Sequence, residues 1–132
     1  HWLVQMVVPD MVAAGDGAII VVSSIAGLRG SSTIGAYGIS KAADMQLVRN
    51  LAVELGPHNV RVNGLAPGVI RTDFSRELWE DPAIEKHVTE QSPLRRFGNP
   101  DDVAGLAVCL AGPAGRYVTG QTWVVDGGDL AA

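Results

Sequence analysis

The chain has 132 residues, 47% of them hydrophobic and 18% charged, with a formal net charge of −4. That length argues for one domain, and that composition excludes a disordered tail. No run approaches the ~18–20 apolar residues of a membrane span, and the acidic balance removes the electrostatic driver of nucleic-acid binding. The single cysteine, Cys109, excludes an intramolecular disulfide and a thiolate metal cluster. A soluble, cytoplasmic protein without nucleic-acid, membrane or metal partners is expected. Glycine is the outlier, at 16 of the 132 residues.

From His1 to Ala14 the apolar pairs Leu3/Val4, Val7/Val8 and Met11/Val12 recur every fourth position, which predicts a helix with Pro9 at a kink. Gly15-Asp16-Gly17 breaks it. Ala18–Val22 is wholly apolar, the pattern of a parallel strand covered on both faces. A Gly/Ser-rich loop, Ser23–Gly35, leads to a second helix from Gly35 to Leu55, with Ala42, Leu47, Val48, Leu51 and Leu55 on its buried side. Gly56-Pro57 reads as its glycine stop and following proline. Val60–Leu65 is a second buried strand running into Ala66-Pro67-Gly68. Between Thr72 and Gln91 the chain is more polar, with Phe74, Leu78, Trp79, Ile84 and Val88 at helical spacing. Asn99-Pro100-Asp101-Asp102 is a helix start: a capping residue, a proline at the first position, then acids at the positive end of the dipole. The helix runs on through Val103–Leu110, where Cys109 reads as a small buried residue. Thr122–Val125 is a third strand, closed by Asp126-Gly127-Gly128.

Alternating helices and apolar strands imply parallel βαβ units, hence an α/β doubly wound sheet of about three strands with flanking helices. Ligands bind such sheets beyond the carboxyl ends of the strands. Two loops lie there, Ser23–Gly35 and Ala66–Thr72, and a site is expected between them.

Within those bounds the most suggestive pattern is Tyr37-Gly38-Ile39-Ser40-Lys41. Residues four apart share a helix face, and a cation beside a phenol favours the phenolate, so Tyr37 can exchange a proton as general acid or base. The plainer alternative is a half-buried tyrosine with a lysine stem laid along it. Ser24, at the end of the first strand, can donate to a carbonyl or alkoxide oxygen, or it can simply bond its own backbone. His1, His58 and His87 have no metal-ligand spacing. There is no Gly-x-Ser-x-Gly elbow and no Gly-x-x-x-x-Gly-Lys phosphate loop. Arg95-Arg96 reads as an ion-pairing surface element.

Ser24, Tyr37-x-x-x-Lys41 and Asn63-x-x-x-Pro67-Gly68-x-x-x-Thr72 together resemble the short-chain dehydrogenase/reductase family. So do Pro93-Leu94-Arg95-Arg96-Phe97-Gly98-x-Pro100-x-Asp102-Val103, Thr119-Gly120-Gln121 and Val125-Asp126-Gly127-Gly128. The resemblance implies a Rossmann-like fold and an oxidoreductase that moves a hydride between NAD or NADP and an alcohol/carbonyl substrate. In that reading Tyr37 transfers the proton, Lys41 lowers its pKa and holds the nicotinamide ribose, and Ser24 polarises the carbonyl. Pro67 and Gly68 would lie against the nicotinamide, and the Ile70 backbone and Thr72 would reach its carboxamide. Asn63 is expected to be structural, and Phe74–Gln91 is either a substrate lid or a surface helix. Homo-oligomers, dimer or tetramer, are expected.

The family's N-terminal Thr-Gly-x-x-x-Gly-x-Gly turn does not occur, and Gly15-x-Gly17 has the wrong order to replace it. Residues 1–132 are therefore expected to be the C-terminal part of a single dinucleotide-binding domain whose first half is absent. Ala18–Val22 would then be an unpaired edge, stable only when covered by another chain or fragment. The alternative function is a truncated, non-catalytic association module or inactive remnant.

Overall fold

The computed structural model describes residues 1–132. The main elements are α1 (Trp2–Ala14), β1 (Gly17–Val22), α2 (Gly35–Leu55), β2 (Val60–Pro67), α3 (Arg76–Glu80), α4 (Pro82–Gln91), α5 (Pro100–Ala111) and β3 (Thr122–Val125). The strands form one parallel sheet in the order β1-β2-β3. Ala18 is opposite Arg61 and Ile20 opposite Asn63 on one side, and Gly64 is opposite Thr122 on the other. This is the α/β doubly wound, Rossmann-like architecture that the alternation of elements implies.

Strand alternation decides what lies on each face of the sheet. Ile19 and Val21 of β1 join Val60 and Val62 of β2 in the main core, against Val48, Leu51, Ala52 and Leu55 of α2 and Val4, Val8, Met11 and Val12 of α1. The intervening positions, Arg61 and Asn63, point to the opposite face. There the Arg61 guanidinium donates to the carbonyls of Leu110 (2.5 Å), Gly115 (2.8 Å) and Ala111 (3.0 Å). These include the last carbonyls of α5, which no helical N–H can reach, so one cation closes that helix onto the sheet. Asn63 is 1% exposed; its amide donates to the Val118 carbonyl (2.8 Å) and accepts from the Gln121 N–H (3.2 Å). The expected structural role of Asn63 is to hold the entry to β3 against β2.

Several expectations need correcting. β1, whose apolar run reads as a buried strand, is only half-buried, with Val22 58% exposed, because it is the edge of the sheet, as the expectation of an unpaired edge has it. Gly56 is right-handed (φ −53°) and opens a 3-10 turn; the left-handed stop is Asn59 (φ 59°), because Pro57 prolongs the coil by that turn. On α2 the buried stripe is Met45, Val48, Leu51, Ala52 and Leu55. Ala42 is exposed, as that part of the helix lies level with the loop beyond β1 rather than over the sheet. On α1, Leu3 and Val7 face outward. Cys109 is exposed, since the inward stripe of α5 runs through Val103, Leu106, Ala107 and Leu110. No helix is long and apolar enough to cross a membrane.

Candidate functional site

β1 and β2 end side by side, and the loops leaving them lie at the same end of the sheet, where α/β sheets hold ligands. After β1 the chain turns into a 3-10 turn, Ile25–Gly27, capped by Ser24, whose Oγ accepts from the Ala26 N–H at 3.1 Å. This is the local bond a lone serine commonly makes. It occupies a lone pair only, so the hydroxyl hydrogen stays free to donate.

The turn is pressed against the start of α2. A Cβ on Gly27 would lie 2.7 Å from the Ala42 nitrogen and the Lys41 carbonyl carbon, and one on Gly38 would lie 2.8 Å from the Ala26 oxygen. Only glycine permits that approach. The buried Ser23 adds a bond from its hydroxyl to the Lys41 carbonyl (2.8 Å). These contacts bring the Ser24 turn to the Tyr37–Lys41 stretch of α2. Tyr37 is half-buried, and the Lys41 ammonium stands 5.8 Å from its ring centre. Lys41 Nζ also donates to the Val22 carbonyl (3.2 Å) and pairs with Asp44 (3.1 Å), which leaves one N–H uncommitted. Asp44 follows Lys41 by one helical turn, so the spacing alone could have flagged it.

The loop after β2 is built from backbone contacts. Gly68 donates to the Val125 carbonyl (3.0 Å), and a Cβ there would lie 2.9 Å from Asp126 Cα. Its glycine thus lets the turn after β3 close onto β2. Ile70 forms a parallel bridge with Gly98, through Gly98 N–H to the Val69 carbonyl (3.0 Å) and Arg71 N–H to the Gly98 carbonyl (2.8 Å). The Ile70 N–H itself donates to no backbone group of the chain. Thr72 caps the next turn with Ser75, whose hydroxyl donates to the Ile70 carbonyl (2.5 Å). A cavity of about 160 Å³ lies behind this loop, lined by Val69, Ile70, Leu94, Val125 and Gly127. Arg96, Gly98, Asp102 and Asp126 complete its lining, and Ser24, Tyr37 and Lys41 do not reach it.

The segment that bridges to Ile70 is itself anchored. Arg96 holds Asp102 through two bonds (2.7 and 2.8 Å), and Asp102 also accepts from the Asn99 N–H (2.7 Å). The Arg96 hydrogen bond, then the Asn99 N–H, hold the Asp102 carboxyl well below the usual carboxylate range; the same bond raises Arg96. Of the Arg95-Arg96 doublet expected to form ion pairs, Arg96 does so, whereas the Arg95 guanidinium donates to the Glu90 carbonyl. The role of Arg61 was not expected, and an isolated arginine in an apolar strand was its only signal.

A family model described as Enoyl-(Acyl carrier protein) reductase matches residues 1–129. The chain belongs to the short-chain dehydrogenase/reductase family. The Bos taurus dehydrogenase/reductase SDR family member 4 is 46% identical over 129 residues, which are 98% of this chain and 46% of that protein. A gluconate 5-dehydrogenase from Burkholderia cenocepacia, solved with NADP and tartrate, superposes with a TM-score of 0.94 at 34% identity, over 98% of this chain and 51% of that one. A 7 alpha-hydroxysteroid dehydrogenase solved with NADH and 7-oxo glycochenodeoxycholic acid gives a TM-score of 0.90 at 42% identity, over 96% of this chain and 49% of that one. The chain thus spans about half the length of the short-chain dehydrogenases it matches.

Proposed function

We propose that this chain carries the catalytic and nicotinamide-binding part of an oxidoreductase that interconverts an alcohol and a carbonyl compound with NAD or NADP. The observation that carries this reading is the placement of Tyr37 and Lys41 on one face of α2, with the Ser24 turn clamped beside them by two glycine contacts. Residues 1–132 act here as the C-terminal part of a single dinucleotide-binding domain. The exposed apolar side chains Trp2, Leu3 and Met6 of α1 and Ile39 and Val53 of α2 support a homo-oligomer, dimer or tetramer.

The donor set fits a nicotinamide riboside. Lys41 has one ammonium hydrogen to spare for ribose hydroxyls. The Ile70 N–H has no backbone acceptor, and the Thr72 side chain is exposed beside it, as a carboxamide requires. Pro67 and Gly68 form the wall below. The nicotinamide, when bound, gives or takes the hydride. In reduction, Ser24 donates its hydroxyl hydrogen to the substrate carbonyl and stabilises the charge developing on oxygen. Tyr37 delivers the proton to that oxygen; in oxidation the proton returns to Tyr37. Lys41, fixed over the ring, stabilises the phenolate left behind.

Replacing Tyr37 by Phe in the intact protein tests the assignment. Turnover of an alcohol/ketone panel is expected to fall by about 10²–10⁴-fold, the usual worth of a positioned proton donor, while NAD(P)H fluorescence still saturates on titration. Retained turnover would remove Tyr37 from the chemistry. No saturable NAD(P)H binding by the unsubstituted protein would favour a non-catalytic association module.

A further inference from the structure

The α3–α4 segment has no buried residue in either helix. A segment without a buried side chain is not held by a core, and its position depends on whatever contacts tie it down. Arg95 ties the end of α4 through the Glu90 carbonyl, but contacts to both helices meet at one residue between Ile70 and Thr72. Arg71 Nη2 pairs with Glu85 of α4 at 2.5 Å. The guanidinium lies 5.5 Å from the Trp79 ring of α3 and 5.8 Å from the ring of Phe97, which is buried. The Arg71 N–H donates to the Gly98 carbonyl (2.8 Å) inside the bridge that shapes the Ile70 loop. The Trp79 indole N–H reaches the Thr72 carbonyl (3.1 Å), so α3 holds the same loop from its other side.

We propose that Arg71 is a positioning residue: its side chain latches α3 and α4 onto the Ile70–Thr72 loop, so that the helical segment and that loop move as one unit. The planar guanidinium suits this task, because it can lie against two rings and still present its edge to a carboxylate; an ammonium is a point charge without a flat face to stack. The pair with Glu85 is half-exposed, so it is a bond made to be broken and remade rather than a permanent brace. Opening of the segment would pull on Thr72, and ordering of Thr72 by a ligand would favour the latched state. This rests on the proposed role of Ile70 and Thr72 for its consequence in catalysis, but not for the latch itself.

The test uses Arg71→Met, Arg71→Lys and Glu85→Gln in the intact protein, each compared with the same variant carrying Trp79→Phe so that Trp79 emission is read as a difference. Arg71→Met is expected to shift Trp79 emission and to speed amide exchange across residues 76–91 by about tenfold, the scale of losing a half-exposed ion pair and a cation–π contact together. Glu85→Gln should give a smaller increase confined to α4. Arg71→Lys should keep the α4 protection yet still shift Trp79 emission, because the pair with Glu85 survives and the planar stack is lost. Substrate KM should rise with the exchange rate across the three variants, with kcat changing less. Unchanged exchange and emission in Arg71→Met would overturn the latch, as would an increase spread evenly over the whole fold. Should no alcohol or carbonyl compound turn over, exchange and emission still decide the latch, and only the catalytic reading falls.

Discussion

The loops after β1 and β2 leave neighbouring strands at the same end of the sheet, yet they are built in different ways. After β1 the groups we propose for the chemistry are side chains, Ser24 on a short turn and Tyr37 and Lys41 on a 21-residue helix, and two glycines let the turn and the helix meet backbone to backbone. After β2 the groups we propose for the nicotinamide are largely backbone, Pro67-Gly68 and the Ile70 N–H, held by bridges to Gly98 and to the turn after β3. A proton-transferring group must be held in both position and orientation, which a long packed helix provides. A flat ring needs a wall and a few donors, which a pinned loop provides. The glycines accordingly serve different ends: Gly27 and Gly38 set the distance between two side-chain-bearing elements, and Gly68 sets the distance between two turns.

This division of labour can be broken at several points. The largest effect belongs to Tyr37→Phe, already described, which acts on chemistry without touching the second loop. Gly38→Ala comes next. Its Cβ would press on the Ala26 carbonyl, a backbone atom that cannot swing aside. Denaturant unfolding should show about 1–3 kcal/mol of destabilisation, the usual cost of overpacking, and kcat should fall more than cofactor affinity. Gly68→Ala should cost stability on a similar scale, because its Cβ would lie 2.9 Å from Asp126 Cα. Its kinetic effect should be the reverse, weaker NAD(P)H binding with kcat better preserved. A drop in kcat with affinity spared in Gly68→Ala would show that the two loops act as one.

The smallest effect concerns pH and the second loop alone. The native environment lowers the Asp102 pKa, so its contribution to stability is fully present above the ordinary carboxylate pKa of about 3.9 and is lost as pH falls below it. Asp102→Asn should therefore be less stable than the unsubstituted protein near neutrality, and the gap should shrink as the solution is acidified below that value, measured by thermal unfolding across pH. A gap independent of pH would mean that Asp102 works by shape rather than charge.

Much of this organisation was legible from local chemistry. The bounds of α2 and of β3 follow from apolar spacing and flanking breakers, and the start of α5 from Asn99-Pro100 with Asp102 three residues after the cap. The i, i+4 placement of Tyr37 and Lys41 needs only helix geometry. Other features turned on partners distant in sequence. Asp81-Pro82 carries its own capping signal, with Asp81 accepting from the Ala83 N–H (2.8 Å), yet the division of 76–91 into α3 and α4 was hidden by apolar residues spaced as in one helix. Cys109 sits among apolar neighbours, so only the rotation of α5 against the sheet decided that it faces out.

The sequence by itself determined the order of elements, the parallel sheet and the family, because periodicity, caps and turn residues act over a few positions. The tertiary structure alone decided which glycines are contact points, that Arg61 closes α5, and that Arg71 gathers α3 and α4 onto the Ile70 loop. Each of these depends on groups brought together across tens of residues, and the close packing that joins them follows from three-dimensional shape rather than from any local pattern.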